Sequence, residues 1–350
     1  MLRKRKLRGK SLKTLLRITI ILIVFIASFY LFMGEENDPI NEDIQVKIQK
    51  ETIEMDIMSL IGESEQSILS IYGKPDRIDP SYYDYEWWIY NKDLDHYIQI
   101  GIFNEKVVTI YVIGKNVDIS PFYIGQPVQE LFSKMSPKPT ISIDYKGNSF
   151  QFELSEQDLN TRPLFEMNGN YLQVYIDQFT GKVSSIRLLD KEALIKQRPY
   201  ELIYRGQLIS SKPISDKEKR QVEEGQEKQI FDITNIIRKR HGLNPLNWHD
   251  QTSKVAYDHS KDMKENEYFS HVSPTNGTLA NRLEEGGILF TVAGENIAAQ
   301  YVDGIEAVEG WLNSKGHRKT LLQKDYTHLG IGVFDKYYTQ NFIALWEQAS

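Results

Sequence analysis

Six of the seven histidines, His241, His249, His259, His271, His317 and His328, fall in the last third of the chain. Histidine is the usual neutral ligand and acid–base group near pH 7, so any chemistry points there. Three short segments in that region pair a reactive side chain with unusual backbone. Phe269-Ser270-His271-Val272-Ser273-Pro274 follows a helical pattern. Gly294-Glu295-Asn296-Ile297-Ala298 sets a carboxylate after a glycine, and Ser314-Lys315-Gly316-His317-Arg318 sets an imidazole after one. Two imidazoles and a carboxylate suffice for a tetrahedral metal with one open, water-occupied position. A metal there lowers the pKa of its water to about 7 or orients a ligand. On spacing alone, ordinary capping and hydrogen-bonding roles are the simpler account. The chain has no H-E-x-x-H, G-x-S-x-G, phosphate loop or G-x-G-x-x-G, so a site must be assembled from distant segments. It has no cysteine, which removes disulfides, thiolate nucleophiles and cysteine metal sites.

The order of the motifs adds more than their spacing. Asn235-x-x-Arg238, His241-Gly242-Leu243-x-Pro245-Leu246-x-Trp248, Ala256-x-x-His259-Ser260-x-Asp262-Met263, Phe269-Ser270-His271, Gly294-Glu295-Asn296-Ile297-Ala298 and Trp311-Leu312-Asn313-Ser314-x-Gly316-His317-Arg318 follow one another from about 230 to 346. Together they closely resemble a bacterial CAP (SCP-like) domain, the superfamily of cysteine-rich secretory proteins, antigen 5 and pathogenesis-related 1 proteins. Residues 55–204, with Ile61-Gly62, Tyr72-Gly73-Lys74-Pro75 and Tyr85-Glu86-Trp87-Trp88-Ile89-Tyr90, are similar to the CAP-associated N-terminal domain of Bacillus-type membrane proteins.

The resemblance implies an α–β–α sandwich whose cleft carries two histidines and two acids that hold a divalent cation, zinc first and calcium as the alternative. His271 and His317 match the histidines and Glu295 the first acid. The second acid falls at Ser314, so three of four are kept, which weakens a two-carboxylate mechanism more than metal binding. Around this set, His259 lies on an apolar helical stripe as a core histidine beside the cleft. Asn296 is expected to bond loop backbone and hold Glu295 in place. Arg282 and Arg318 read as structural ion pairs before anion ligands.

The elements that position these residues follow from periodicity. Helical stripes run through Ile230, Ile233, Ile236 and Ile237, through Val255, Ala256, His259 and Met263, through Leu279 and Leu283, and through Ile305, Val308, Trp311 and Leu312. Residues 329–334 and 342–346 read as strands. Residues 55–204 read as a duplicated helix-plus-meander at an offset of roughly 60 residues. Tyrosines and Trp87-Trp88 crowd its strands, and sheet packing outweighs a stacking surface for sugar or peptide. The fold class is therefore α+β: a C-terminal α–β–α sandwich (CAP fold) over 227–350, a linker at 205–226, a duplicated mixed domain over 55–204, a spacer at 35–54, and a basic tail with a single transmembrane helix over 1–34.

Charge supports that last segment. The formal net charge is −6, yet residues 1–17 hold eight of the 42 basic residues and no acid, leaving 34 basic against 48 acidic residues beyond them. An acidic remainder excludes a nucleic-acid footprint. Residues 18–33 are uncharged, and with Leu15, Leu16 and a snorkelling Arg17 they cover a bilayer core of roughly 30 Å. Positive-inside places the N-terminus in the cytoplasm and the rest outside. An uncleaved signal-anchor is favoured over a cleaved signal peptide because no A-x-A site follows the apolar run. The expectation is a single-pass cell-membrane protein with extracytoplasmic C-terminal domains. Its cleft, in the first reading, binds a divalent metal and an extracellular ligand (peptide, lipid or cell-wall fragment). A second reading is a metal-dependent hydrolase, peptidase-like or cell-wall-acting, using His271, Glu295 and His317. A third is a structural assembly protein with a vestigial cleft.

Overall fold

The structure, a computed structural model, describes residues 57–346. The basic tail, the apolar run at 18–33 and the spacer lie outside the described residues. Among the described residues no helix is long and apolar enough to cross a membrane.

The first domain opens with α1 (Glu65–Tyr72), started by the Ser64 hydroxyl accepting from Ser67 N and stopped at Gly73, whose φ is 73°. Four antiparallel strands follow: β1 (Arg77–Pro80), β2 (Glu86–Tyr90), β3 (Ile98–Phe103) and β4 (Lys106–Val112). Then come α2 (Val128–Lys134), β5 (Thr140–Tyr145), β6 (Asn148–Glu153), α3 (Glu156–Thr161), β7 (Leu164–Met167), β8 (Asn170–Asp177), β9 (Lys182–Leu189), α4 (Lys191–Gln197) and β10 (Glu201–Arg205). The main sheet has seven strands in the order β1-β2-β3-β4-β9-β8-β7, and β10-β6-β5 form a separate sheet. The second meander thus departs from the expected echo. The strand at 148–153 leaves for the small sheet, and β7, which the sequence did not signal, takes the place beside β8.

Both faces of the seven-stranded sheet are covered. Trp88, Ile98, Ile100 and Ile110 pack beneath α1 and α2, while Trp87, Tyr97, Tyr111 and Tyr175 face the second domain. Adjacent Trp87 and Trp88 point to opposite faces, as strand alternation requires. The aromatic residues are therefore core.

The second domain starts with α5 (Asp216–Arg240), so residues 216–226 are helix where a linker was expected. The cause is local: Ser215 and Glu218 form a reciprocal capping box. The chain continues through β11 (Asn247–Trp248), α6 (Asp250–Glu265), α7 (Leu279–Glu285), β12 (Phe290–Ala299), α8 (Gly304–Leu312), α9 (Lys315–Leu321), β13 (His328–Phe334) and β14 (Tyr337–Leu345). The sheet order is β11-β13-β14-β12. On β13, Leu329, Ile331 and Val333 join the core of α5 and α8. Gly330 and Gly332 alternate to the other face, where α6 lies so close that a Cβ on Gly332 would sit 1.9 Å from Tyr257 N. Helices therefore cover both faces of the sheet, giving an α–β–α arrangement.

One helix joins the domains. The apolar face of α8 (Ile305, Val308, Trp311 and Leu312) enters the second core. Its other face carries Asp303, Glu306 and Glu309 into the first domain. Fully buried Arg187 donates through Nη2 to Asp303 at 3.0 and 2.8 Å. Arg162 donates to Glu306 at 3.0 Å, and Ser185 and Ser184 donate to Glu309 Oε1 at 2.5 and 3.2 Å. From α9, Arg318 makes a two-pronged pair with Asp177 at 2.9 and 3.0 Å. Charges this deeply buried are tolerable only when matched. The match fixes the two domains against each other.

Candidate functional site

Glu295 sits in the middle of β12, opposite Asn341 of β14. The preceding Gly294 is required by contact, since a Cβ there would meet Tyr326 Oη at 2.0 Å. The Glu295 side chain is 3% exposed and both its oxygens are engaged. Oε1 lies 2.9 Å from His271 Nδ1, and Oε2 accepts from Arg282 Nη2 at 2.5 Å. Arg282, on α7, also donates through Nη1 to His271 O at 3.0 Å and Gly277 O at 2.9 Å. It therefore braces the carboxylate and the loop carrying the histidine at once. His271 itself is half-exposed. A carboxylate can only accept, so neutral His271 carries its proton on Nδ1 and turns the Nε2 lone pair outward.

His259 is buried on α6. Its Nε2 donates to Ser270 O at 3.1 Å and stands 3.9 Å from Glu295. Burial pushes its pKa down, so it stays neutral against the Glu295–Arg282 pair. His317 lies just past α8, in the first turn of α9. Burial, and then the neighbouring charge of His271, push its pKa down. Ser314 is the N-cap position of α9 and makes no side-chain capping bond. Asn296 departs from its expected role: its Nδ2 donates to His317 O at 3.2 Å and Gln340 Oε1 at 3.3 Å, so it positions His317 instead of Glu295.

The structure thus brings His271, Glu295 and Arg282 into direct contact and sets His317 nearby, with Ser314 three residues before it. His328 is elsewhere, packed edge-on to His249 at 5.7 Å at the start of β13, and His241 ends α5 beside Arg318 and Asp177. A three-ligand metal set does not form as the side chains stand. Among the described residues no three His, Asp or Glu converge to hold a metal. Arg282 takes Oε2 of Glu295 and His271 takes Oε1, and Ser314 stands where the resemblance puts the second acid. Nor is Glu295 a free base, since it is buried and neutralised by an arginine.

His317 and Ser314 open onto a cavity of about 630 Å³. Its wall on the second domain includes Phe269, Ile297 and Tyr301. Its opposite wall is α3 of the first domain with Ser155, Gln157, Asp158 and Arg162. Sequence reasoning found none of the α3 residues. The S-x-x-D capping box at Ser155–Asp158 marks a helix start but not the surface it faces.

Comparisons with known proteins fall on both domains. Residues 61–200 match the CAP-associated N-terminal family model, and residues 231–345 match that of the cysteine-rich secretory protein family. A Bacillus subtilis (strain 168) protein named "Uncharacterized membrane protein YlbC" is 47% identical over 346 residues, covering 96% of this chain and 100% of that protein. A crystal structure of an extracellular protein containing a SCP domain from Bacillus anthracis str. Ames superposes with a TM-score of 0.80 at 48% identity, covering 83% of this chain and 95% of that one. A cysteine-rich secretory protein from Staphylococcus aureus gives 0.72 at 27% identity, over 83% and 93%.

Proposed function

The chain belongs to the CAP superfamily, the cysteine-rich secretory protein family, with a CAP-associated N-terminal domain, and from that premise we propose that it is a membrane-tethered, extracytoplasmic binding module. Its cleft captures an extracellular ligand, a peptide, lipid or cell-wall fragment, through the outward Nε2 of His271 together with His317 and Ser314. One observation carries this reading: the carboxylate beside His271 is locked by Arg282, so the site presents a fixed, half-exposed imidazole and no free carboxylate. Preorganised side chains of this kind lower the entropic cost of binding. A zinc or calcium ion held by His271, Glu295 and His317 would compete with Arg282 for Glu295. The relatives named as a membrane protein and an extracellular protein support the placement. Calorimetric titration of the full chain with cell-wall fragments, phospholipid vesicles and short peptides tests it. Binding that disappears in His271→Ala is the expected result, and a ligand bound equally well by that variant would remove the cleft from the account.

The His271–Glu295 contact also favours one form of the hydrolase reading. There His271 is the base and Glu295 orients it. Turnover of an ester or peptide substrate lost in His271→Ala but only reduced in Glu295→Gln would support it.

A further inference from the structure

The cavity beside His317 is walled by both domains, and each wall presents polar groups with nothing bonded to them. From the end of α3 comes Arg162. Its Nε donates to Asp158 Oδ1 at 2.6 Å, its Nη1 donates to Glu306 Oε2 at 3.0 Å, and its guanidinium lies 5.0 Å from the centre of the Tyr200 ring. These contacts fix its plane, and Nη2 is left with no hydrogen-bond partner among the described residues. The side chain is 26% exposed, so that nitrogen is open to the cavity. Gln157, exposed at the start of the same helix, has an equally free amide. From the second domain come the Tyr301 hydroxyl, the Ser314 hydroxyl and the imidazole of His317. Among the described residues none of the three makes a side-chain hydrogen bond, and all three residues are half-buried with their polar atoms in reach of solvent. Phe269, 53% exposed, stands on the same wall.

These groups select a ligand class. A cation finds no open carboxylate, because Asp158 and Glu306 each accept on both oxygens and Glu309 is buried in the seam. An anion gains the Arg162 donor but faces the two carboxylates that already match that charge. An extended peptide binds a sheet by adding a strand to its edge. Strand β12 is such an edge, yet its Ile297 carbonyl already accepts from Trp311 Nε1 at 3.0 Å. What stays open is hydroxyl, amide and imidazole, groups that both donate and accept, beside aromatic rings. Sugar hydroxyls also donate and accept, and the C–H face of a pyranose stacks on an aromatic ring. The volume, about 630 Å³, lies within the roughly 300–1,000 Å³ common for ligand sites.

We propose that the two domains form one composite site for a short, uncharged oligosaccharide, held by Arg162 Nη2 and the Gln157 amide from the N-terminal domain and by Tyr301, Ser314 and His317 from the CAP domain. The inference rests on the reading of the cleft as a ligand site and narrows its ligand class. It gives the N-terminal domain a direct part in recognition.

An N-acetylglucosamine trimer, its deacetylated glucosamine form and N-acetyltrialanine amide, each titrated calorimetrically into the full chain, test it. The acetylated trimer binds the wild type. Gln157→Ala and Tyr301→Phe each remove one free group, one from either wall, and each weakens binding about fivefold, with thermal unfolding recorded to confirm an intact fold. The cationic glucosamine trimer binds roughly tenfold more weakly than the acetylated one. Unchanged affinity in Gln157→Ala overturns the part given to the N-terminal domain, and unchanged affinity in Tyr301→Phe overturns the site itself. Equal or tighter binding of the glucosamine trimer overturns the uncharged class. Tighter binding of the peptide amide replaces the glycan with a peptide. If the wild type takes no trimer while another ligand still requires His271, this inference falls and the cleft reading stands. If the trimer binds with full affinity to His271→Ala but not to Gln157→Ala, the composite site stands and the part given to His271 falls.

Discussion

The seam between the domains and the cleft beside it are built from the same residue types and behave oppositely. In the seam, Arg187 meets Asp303, Arg162 meets Glu306 and Arg318 meets Asp177, each pair with a buried carboxylate. In the cleft, His271 is half-exposed and the Ser314 hydroxyl caps nothing. Polar groups that are fully matched specify one arrangement of the chain. Those left unmatched at a cavity wall are free to be completed by something else. Glu295 belongs to the first kind although it lies in the cleft. Its ion pair with Arg282 makes it part of the frame.

The contrast can be broken by mutation. Asp303→Ala leaves the buried Arg187 charge without its carboxylate and removes the α8 N-cap. A loss of about 3–5 kcal/mol in urea unfolding is expected. Because one core runs through both domains, a single transition should remain. Two separate transitions would show that the seam does not couple them. Arg282→Leu strands the Glu295 carboxylate in the same way and should cost about 3 kcal/mol, read by the same unfolding curves.

A site of intermediate character sharpens the comparison. Glu227 on α5 takes Arg220 at 3.0 and 3.2 Å and accepts from Val333 N, yet burial pushes its pKa up to about 7 against the arginine's pull. The folded chain thus holds a proton there that the unfolded chain, near 4.5, has released. Stability should fall as pH rises from about 5 to 7.5, by up to about 3 kcal/mol. Urea midpoints across that range check it, with Glu227→Gln flattening the slope. At the small end, His271→Ala should change stability by about 0.5 kcal/mol or less while abolishing ligand binding.

Much of the second domain was legible in the sequence because its helices carry regular apolar stripes and its motifs keep a family order. The α8 stripe of Ile305, Val308, Trp311 and Leu312 predicted the buried face correctly. It said nothing of the second face, where Asp303, Glu306 and Glu309 meet residues more than 100 positions away, as Arg187 and Asp303 do. Long-range charge pairs leave no local pattern. Strand β12 was missed for a related reason: its burial does not alternate, and Gly294, which marked unusual backbone, is a close approach to Tyr326 within the strand. His271, Glu295 and His317 were found by motif. Arg282 was read as a structural ion pair, but that its partner is Glu295 itself required coordinates.

The most direct test is the ring state of His271, read from nitrogen-15 chemical shifts of histidine-labelled protein at neutral pH. The account predicts a proton on Nδ1, held by Glu295, and a bare Nε2 facing solvent. A proton on Nε2, with Nδ1 unprotonated, would mean that Glu295 does not hold this imidazole, and the fixed cleft described here would be wrong.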